Sequence, residues 1–319
     1  MPYDAPVLVL TRADVERLLD IDAMLDALER AFVALSRGDA IVPPRIAAFG
    51  EHGGVAAMPG WLPGVALEVK LVSVFPDNHR AGKPSHQGLI ALFDEGDGTP
   101  IALMDAIHIT AMRTAGGAAV SVRALARRGS AVLAILGAGT QGASHLQTVP
   151  RVMPELREIR IASRTLEHAA GLASQRPDAA VAESFEAAVR GADVVCCCTD
   201  AREPILRAEW LAPGTHITAV GGTFGPELDA ATVQRARIFV EWRGAAEHPP
   251  PAGAHELQGV DPQRITEVGA VLSGQAPGRR TDTEITVYKS TGHAVEDAAA
   301  ARMVYDRARA EGAGREVRI

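Results

Sequence analysis

Residues 131–142, AVLAILGAGTQG, decide the fold: a short apolar strand runs straight into Gly137-x-Gly139-x-x-Gly142 and on into a helical pattern. In a dinucleotide-binding turn each glycine has its own task. Gly137 permits the tight turn, Gly139 lets the backbone approach a pyrophosphate, and Gly142 lets the following helix pack close to its strand while its N-terminus faces the phosphates. The flanks carry the reading, because a GxGxxG without a strand before it and a helix after it is only a glycine-rich turn.

After this turn strand and helix alternate: Val132–Leu136, a helix from Thr140, Glu158–Ala162, a helix over Leu166–Ser174, then buried strands at Asp193–Cys198, His216–Val220 and Arg237–Glu241. Such alternation predicts one doubly wound α/β domain on a parallel sheet, a Rossmann domain. His248–Gly253, with three prolines, reads as a stiff loop; helical sequence to Ser273, a strand at Ile285–Tyr288 and a closing helix over Val295–Ala310 follow. Ahead of the turn the pattern differs. Asp22–Ser36 is an amphipathic helix with Met24, Leu28, Phe32 and Leu35 at near-helical spacing and Gly38 as its stop. Between Ile41 and Asp105, strand-like runs at Ile46–Phe49, Leu67–Val74, Leu89–Phe93 and Ile101–Met104 are broken by Pro and Gly, which points to a mainly antiparallel sheet suited to a substrate. An Ala-rich helix over Ile107–Ala126 leads into the glycine turn.

Composition narrows the function class. With 319 residues, 47% apolar and 22% charged, the chain can bury a sizeable core and divides into two domains. A net charge of −7, with 29 Arg and three Lys scattered among acids, argues against a nucleic-acid partner. No stretch approaches the roughly 18 apolar residues of a membrane span, and no basic n-region precedes the first apolar run, so no membrane partner and a cytoplasmic location are expected. The three cysteines, Cys196 to Cys198, are consecutive on a strand and point to alternate faces; they read as buried packing residues, and no metal site is expected.

Several polar residues stand in settings that carry chemistry. The residue after the second Rossmann strand lies near the adenosine 2′ position, and here Ser163-Arg164-Thr165 offers a guanidinium and hydroxyls where an acid would repel a 2′-phosphate; NADP(H) is favoured, with NAD(H) also open. Arg45 after two prolines, Lys70 on the strand Leu67–Val74 and Arg113 before Thr114 are three cations in the first domain. An interior Lys is costly unless it meets an anion. Asp229 follows a strand whose C-terminal end borders the cofactor crevice; it reads as a general acid or base, or equally as the N-cap of the next helix.

Taken together and in order, Pro43-Pro44-Arg45, Met58-Pro59, Val69-Lys70-Leu71-Val72-Ser73, Pro84-Ser85-His86-Gln87-Gly88, Met112-Arg113-Thr114-Ala115, Leu136-Gly137-Ala138-Gly139, Glu227-Leu228-Asp229 and Tyr288-Lys289-Ser290-Thr291-Gly292 closely resemble the ornithine cyclodeaminase/mu-crystallin family, nearly end to end. The resemblance implies a homodimer in which an α+β substrate and dimerisation domain, 1–117 completed by 293–319, accompanies a Rossmann domain at 118–292, with the substrate between them. Arg45, Lys70 and Arg113 would then hold the carboxylate of a small amino or imino acid. Lys70 and Asp229 would exchange protons, and cofactor contacts would fall on Ser85, Thr114, Gly137, Gly139, Thr140, Gln141, Gly142, Ser163, Arg164, Thr165, Thr199 and Ser290.

Family resemblance leaves the reaction open among cyclodeaminases, amino-acid dehydrogenases, ketimine reductases and a binding form. Two departures from the cyclodeaminases bear on the choice. Val55-Ala56-Ala57 stands before Met58-Pro59 where they carry an acid for the distal amine of ornithine, and Ser163-Arg164 stands where they carry an acid after the second Rossmann strand. A third departure, a Gly221–Asp229 loop shorter than the family's, bears on the placing of Asp229. The expected activity is therefore NAD(P)H-dependent reduction of the C=N bond of a small α-imino acid, cyclic ketimines such as pyrroline-2-carboxylate or piperideine-2-carboxylate first, or L-amino-acid dehydrogenation. Ornithine cyclodeamination and a catalytically idle ligand-binding role are the alternatives.

Overall fold

The computed structural model describes residues 6–222 and 224–318. Two compact units divide the chain, Met1–Arg113 with His293–Ile319, and Thr114–Gly292. The first unit opens with β1 (Val7–Leu10), α1 (Arg12–Leu18) and α2 (Ile21–Arg37), continues through β2 (Ile46–Phe49), β3 (Gly54–Leu62), β4 (Ala66–Val74), β5 (His86–Phe93) and β6 (Pro100–Asp105), and leaves along α3 (Ala106–Leu125). The second unit carries β7 (Val132–Leu136), α4 (Thr140–Thr148), β8 (Glu158–Ala162), α5 (Leu166–Ala173), β9 (Ala179–Val181), α6 (Phe185–Val189), β10 (Val194–Cys197), β11 (His216–Ala219), α7 (Ala230–Arg235), β12 (Arg237–Val240), α8 (Gly244–Glu247), β13 (Ile265–Glu267), α9 (Val268–Leu272) and β14 (Thr286–Lys289). The chain then returns to the first unit as α10 (Ala294–Glu311) and β15 (Arg315–Val317).

In the first unit the sheet runs β15-β1-β6-β5-β4-β3-β2, antiparallel except where β1 lies along β6. Period-two alternation gives this sheet two unlike faces. Met58, Lys70 and Ile90, neighbours across β3, β4 and β5, are buried on one face, while Leu71 and Leu89, one residue on, are 43% and 46% exposed on the other. The buried side is covered by α10, which packs on β3, β4 and α2. Helix α2 is delimited as its sequence dictates: the Asp20 side chain accepts from the Ala23 amide at 3.0 Å, Gly38 ends it at φ +78°, and Met24, Leu25, Leu28, Ala31 and Phe32 form its buried stripe.

Strand β3 is absent from the sequence reading because Pro59-Gly60 sits in its middle, and proline argues against an interior strand. The structure accommodates it through parity. The Trp61 amide donates away from β4 to the Ile41 carbonyl at 2.9 Å, so the nitrogen of Pro59, two residues earlier, points the same way. On that side the pairing with β2 has ended at Ala57, so no strand partner loses a hydrogen bond.

The second unit is an all-parallel eight-stranded sheet in the order β13-β12-β14-β11-β10-β7-β8-β9. Its strand order reverses between β7 and β10, which is where such sheets open a ligand crevice at their carboxyl ends. Fold class is thus α/β as expected. All three cysteines are buried, Cys196 and Cys197 within β10 and Cys198 just after it. One expectation is corrected: residues 253–273 are not a helix. Pro262 interrupts the segment, Ile265–Glu267 pairs beside β12 through Ile238↔Ile265, and only the short α9 follows. Among the described residues no helix is long and apolar enough to cross a membrane.

Candidate functional site

The register of the parallel sheet carries four of the expected cofactor residues, Gly137, Ser163, Thr199 and Ser290, to one edge, together with Gly221. Leu136, Ala162, Cys197, Ala219 and Lys289 are aligned across β7, β8, β10, β11 and β14, so Gly137, Ser163, Thr199, Gly221 and Ser290 all lie just past the same strand ends. The three glycines do three different things here. Gly137 adopts φ +111°, and a Cβ there would lie 2.6 Å from the Cys198 carbonyl oxygen across the switch point. A Cβ on Gly142 would lie 2.0 Å from the Gly137 carbonyl oxygen, so helix and turn pack backbone to backbone. Gly139, the residue before α4, faces open space, which leaves its backbone and the exposed Thr140 accessible to an anion.

An acid that sequence reasoning passed over ties these loops together. Glu227 is fully buried; one carboxylate oxygen accepts from the Thr199 amide and hydroxyl, both at 2.8 Å, and the other from the Gly221 amide at 2.7 Å. Burial raises its pKa, while Lys289 and the Thr199 bonds pull the other way. Lys289 in turn donates to the Gly221 carbonyl at 2.7 Å and lies 3.3 Å from Glu256. Glu241, at the end of β12, accepts from the Thr291 and Gly292 amides at 2.6 and 2.9 Å, which shapes the loop that begins at Ser290. Its signal in the sequence was faint: an acid directly after the apolar run Ile238–Val240.

Asp229 forms the helix cap that is one of the two roles its position allows. Its carboxylate caps α7, accepting from the Thr232 amide at 2.8 Å and from the Ala208 amide at 3.3 Å. Arg164 and Thr165 are exposed, with the Arg164 guanidinium 3.7 Å from the Asp200 carboxylate. Ser85 donates to the Pro76 carbonyl at 3.4 Å in the first unit, Thr114 is buried on α3, and the Oε1 of Gln141 is buried without a hydrogen-bond partner.

The first unit brings Lys70 and Arg113 together, and supplies the anions that let them be buried. Lys70 Nζ lies 3.1 and 3.2 Å from the two carboxylate oxygens of Asp297, and Arg113 Nε lies 3.0 Å from the same Asp297 Oδ1. A second acid, Glu296, accepts from Arg113 Nη1 at 3.2 Å while its other oxygen accepts from the His293 amide at 2.9 Å. Burial pushes Lys70 down to about 8 against the pull of Asp297. For Arg113 burial acts downward too, but Asp297 and Glu296 outweigh it and its pKa rises. Burial would raise Asp297, yet Arg113 and Lys70 hold it below its usual value and keep it ionised. Burial, with Arg45 and Arg113 adding to it, drives His293 down to about 3, so its imidazole stays neutral. The charge of Arg45, half-buried before β2, is therefore felt at the start of α10. Two adjacent acids inside the small apolar run Ala294–Ala301 were the missed signal.

The ornithine cyclodeaminase/mu-crystallin family model matches residues 6–312. The chain belongs to this family. It is 37% identical over 311 residues to the ketimine reductase mu-crystallin of Mus musculus, covering 95% of this chain and 97% of that one. Among solved structures it is similar to the Delta(1)-pyrroline-2-carboxylate reductase of Thermococcus litoralis in complex with NADH and L-proline, at 32% identity and a TM-score of 0.91 over 98% of this chain and 100% of that one. It is also similar to an archaeal alanine dehydrogenase dimer with bound NAD, at 31% identity and a TM-score of 0.88 over 98% and 99%.

Because Asp297 neutralises two buried cations, Asp297→Asn should destabilise the protein by about 3–5 kcal/mol, read as a lowered midpoint in urea unfolding.

Proposed function

We propose that this chain is an NAD(P)H-dependent oxidoreductase that reduces the C=N bond of a small α-imino acid, with cyclic ketimines as its first substrate class. The observation that carries the reading is the buried Lys70 beside Arg113, in a chain that matches end to end a reductase solved with NADH and L-proline. Arg45, Lys70 and Arg113 would hold the substrate carboxylate by charge-assisted bonds. The dinucleotide would lie along the strand ends of the second unit, its pyrophosphate at Gly137, Gly139, Thr140 and Gly142, and it supplies a hydride to the imine carbon. Nitrogen then needs a proton. Lys70 is the donor this geometry favours, since the Asp229 carboxylate is occupied by the start of α7.

An open-chain amino acid and its oxo acid form the second substrate class, supported by the alanine dehydrogenase. Ornithine cyclodeamination is disfavoured, because Ala56 stands opposite Val72 and Ala57 opposite Leu71, leaving no carboxylate at those positions for a distal ammonium. Ser163 and Arg164 favour NADPH over NADH. A homodimer is supported by the uncovered sheet face, where Ile46, Val55, Leu71 and Leu89 are 69%, 49%, 43% and 46% exposed; a patch of this kind marks an interface.

Cofactor oxidation followed by absorbance with pyrroline-2-carboxylate tests the activity; Lys70→Met should lower turnover by about 10²–10⁴-fold while cofactor binding survives. Turnover should also fall as pH rises through about 8, because above that value Lys70 has lost the ammonium proton the imine nitrogen takes. Arg164→Ala should raise the KM for NADPH roughly tenfold and leave that for NADH nearly unchanged. In sedimentation, Leu71→Asp with Leu89→Asp should convert a dimer to a monomer.

A further inference from the structure

Glu68 is a carboxyl that the imine-reductase reading leaves without a task, and the inference drawn from it rests on that reading. It lies two residues before Lys70 on β4, on the same face, 2% exposed, and neither of its carboxyl oxygens has a hydrogen-bond partner. Glycine makes its space. Opposite it on β3 stands Gly60, where a Cβ would lie 3.2 Å from Glu68 Oε1 and 3.0 Å from the Ala294 Cβ.

The ionisable groups gathered with it are Lys70 on its own strand, Arg113 from α3, Glu296 and Asp297 from the first turn of α10, and His293 just before that turn. Lys70 and Arg113 both meet the ionised Asp297, Arg113 also meets Glu296, the charge of Arg45 reaches neutral His293, and none of these groups bonds to Glu68. Glu68 is buried with neither a hydrogen bond nor an ion partner to hold a charge, so it is the member that keeps its proton. Burial, with Asp297 adding to it, raises its pKa well above the usual carboxylate range.

We propose that Glu68 is the proton reserve that reloads Lys70 in each turnover, acting through Lys70 without touching the substrate. A hydride passes to the imine carbon, the C=N π pair moves onto nitrogen, and nitrogen takes a proton from the Lys70 ammonium. Lys70 is then a neutral amine and the cluster has lost one positive charge. Glu68 and Lys70 are not hydrogen-bonded at rest, so the two side chains, two residues apart on one strand face, must first swing into contact; the Glu68 proton then passes to Lys70 Nζ, which restores the ammonium and leaves a carboxylate beside two cations, and water returns a proton to Glu68 as product leaves. The sum is imine, reduced cofactor and one proton giving amine and oxidised cofactor. The other two carboxyls cannot serve, since Asp297 is held ionised by both cations and Glu296 is engaged with Arg113 and the His293 amide.

Rapid-mixing kinetics on the full chain, with reduced cofactor and pyrroline-2-carboxylate, tests this by comparing wild type with Glu68→Gln and Glu68→Asp. In Glu68→Gln the first turnover uses the proton already on Lys70 and should stay within about twofold, whereas steady-state turnover should fall about tenfold or more with an increased solvent deuterium isotope effect. Glu68→Asp should recover most of the loss. First and later turnovers of Glu68→Gln that match wild type, with the same pH profile, overturn the proposal. Infrared spectroscopy gives a readout free of turnover: a buried protonated carboxyl band at neutral pH in the wild type that Glu68→Gln loses is expected, and the same carboxyl bands in both proteins overturn the proposal. Wild-type protein that shows that band but oxidises no cofactor with any imino acid marks the distinct failure of the imine-reductase reading, and the proposal falls with it.

Discussion

Two cations cannot be kept dry without an anion between them, and Asp297 is that anion for Lys70 and Arg113. The three residues come from β4, α3 and α10, so the electrostatic demand of the site is also a demand on the fold. It requires the last helix to return across 227 residues of sequence to the strand that carries Lys70. Once there, α10 buries its small residues on β3, β4 and α2, and β15 adds itself to the edge at β1. The return of the C-terminal segment to the first unit is therefore explained by charge as well as by apolar burial.

A cluster of this kind is a weak source of stability and a strong source of specificity. Desolvating these ionisable groups offsets much of the Coulomb attraction among them, but any rearrangement that separates them leaves a charge unpaired. What the arrangement provides is a lysine whose pKa is lowered to about 8, within reach of neutral pH, where it can both hold charge toward a carboxylate and give up a proton. The second unit follows the same logic with different parts. Glu227 and Glu241 are buried acids whose bonds go to backbone amides of the loops beyond the strands, so they shape where a ligand would meet main chain.

Much of this architecture was legible in the sequence because its signals are local. Strand-then-glycine-then-helix at residues 131–142 needs only near neighbours, as does the apolar stripe of α2 between Asp20 and Gly38. Strand β3 was hidden because the rule against proline assumes a partner on both sides, and here the partner strand ends before Pro59. The segment at 253–273 misled for the opposite reason: its local pattern allowed a helix, while pairing of Ile265 beside Ile238 made part of it a strand.

By itself the sequence determined the parallel α/β unit, the glycine turn and the presence of three conspicuous cations, since each follows from spacing within a few residues. Only the tertiary structure decided what those cations meet. It matched Lys70 and Arg113 to acids far along the chain, gave Asp229 to a helix end, and placed Glu68 beside Lys70 without a bond of its own. The physical reason is that the cost of a buried charge depends on every group packed around it, and that neighbourhood is assembled by long-range contacts which no window of sequence contains.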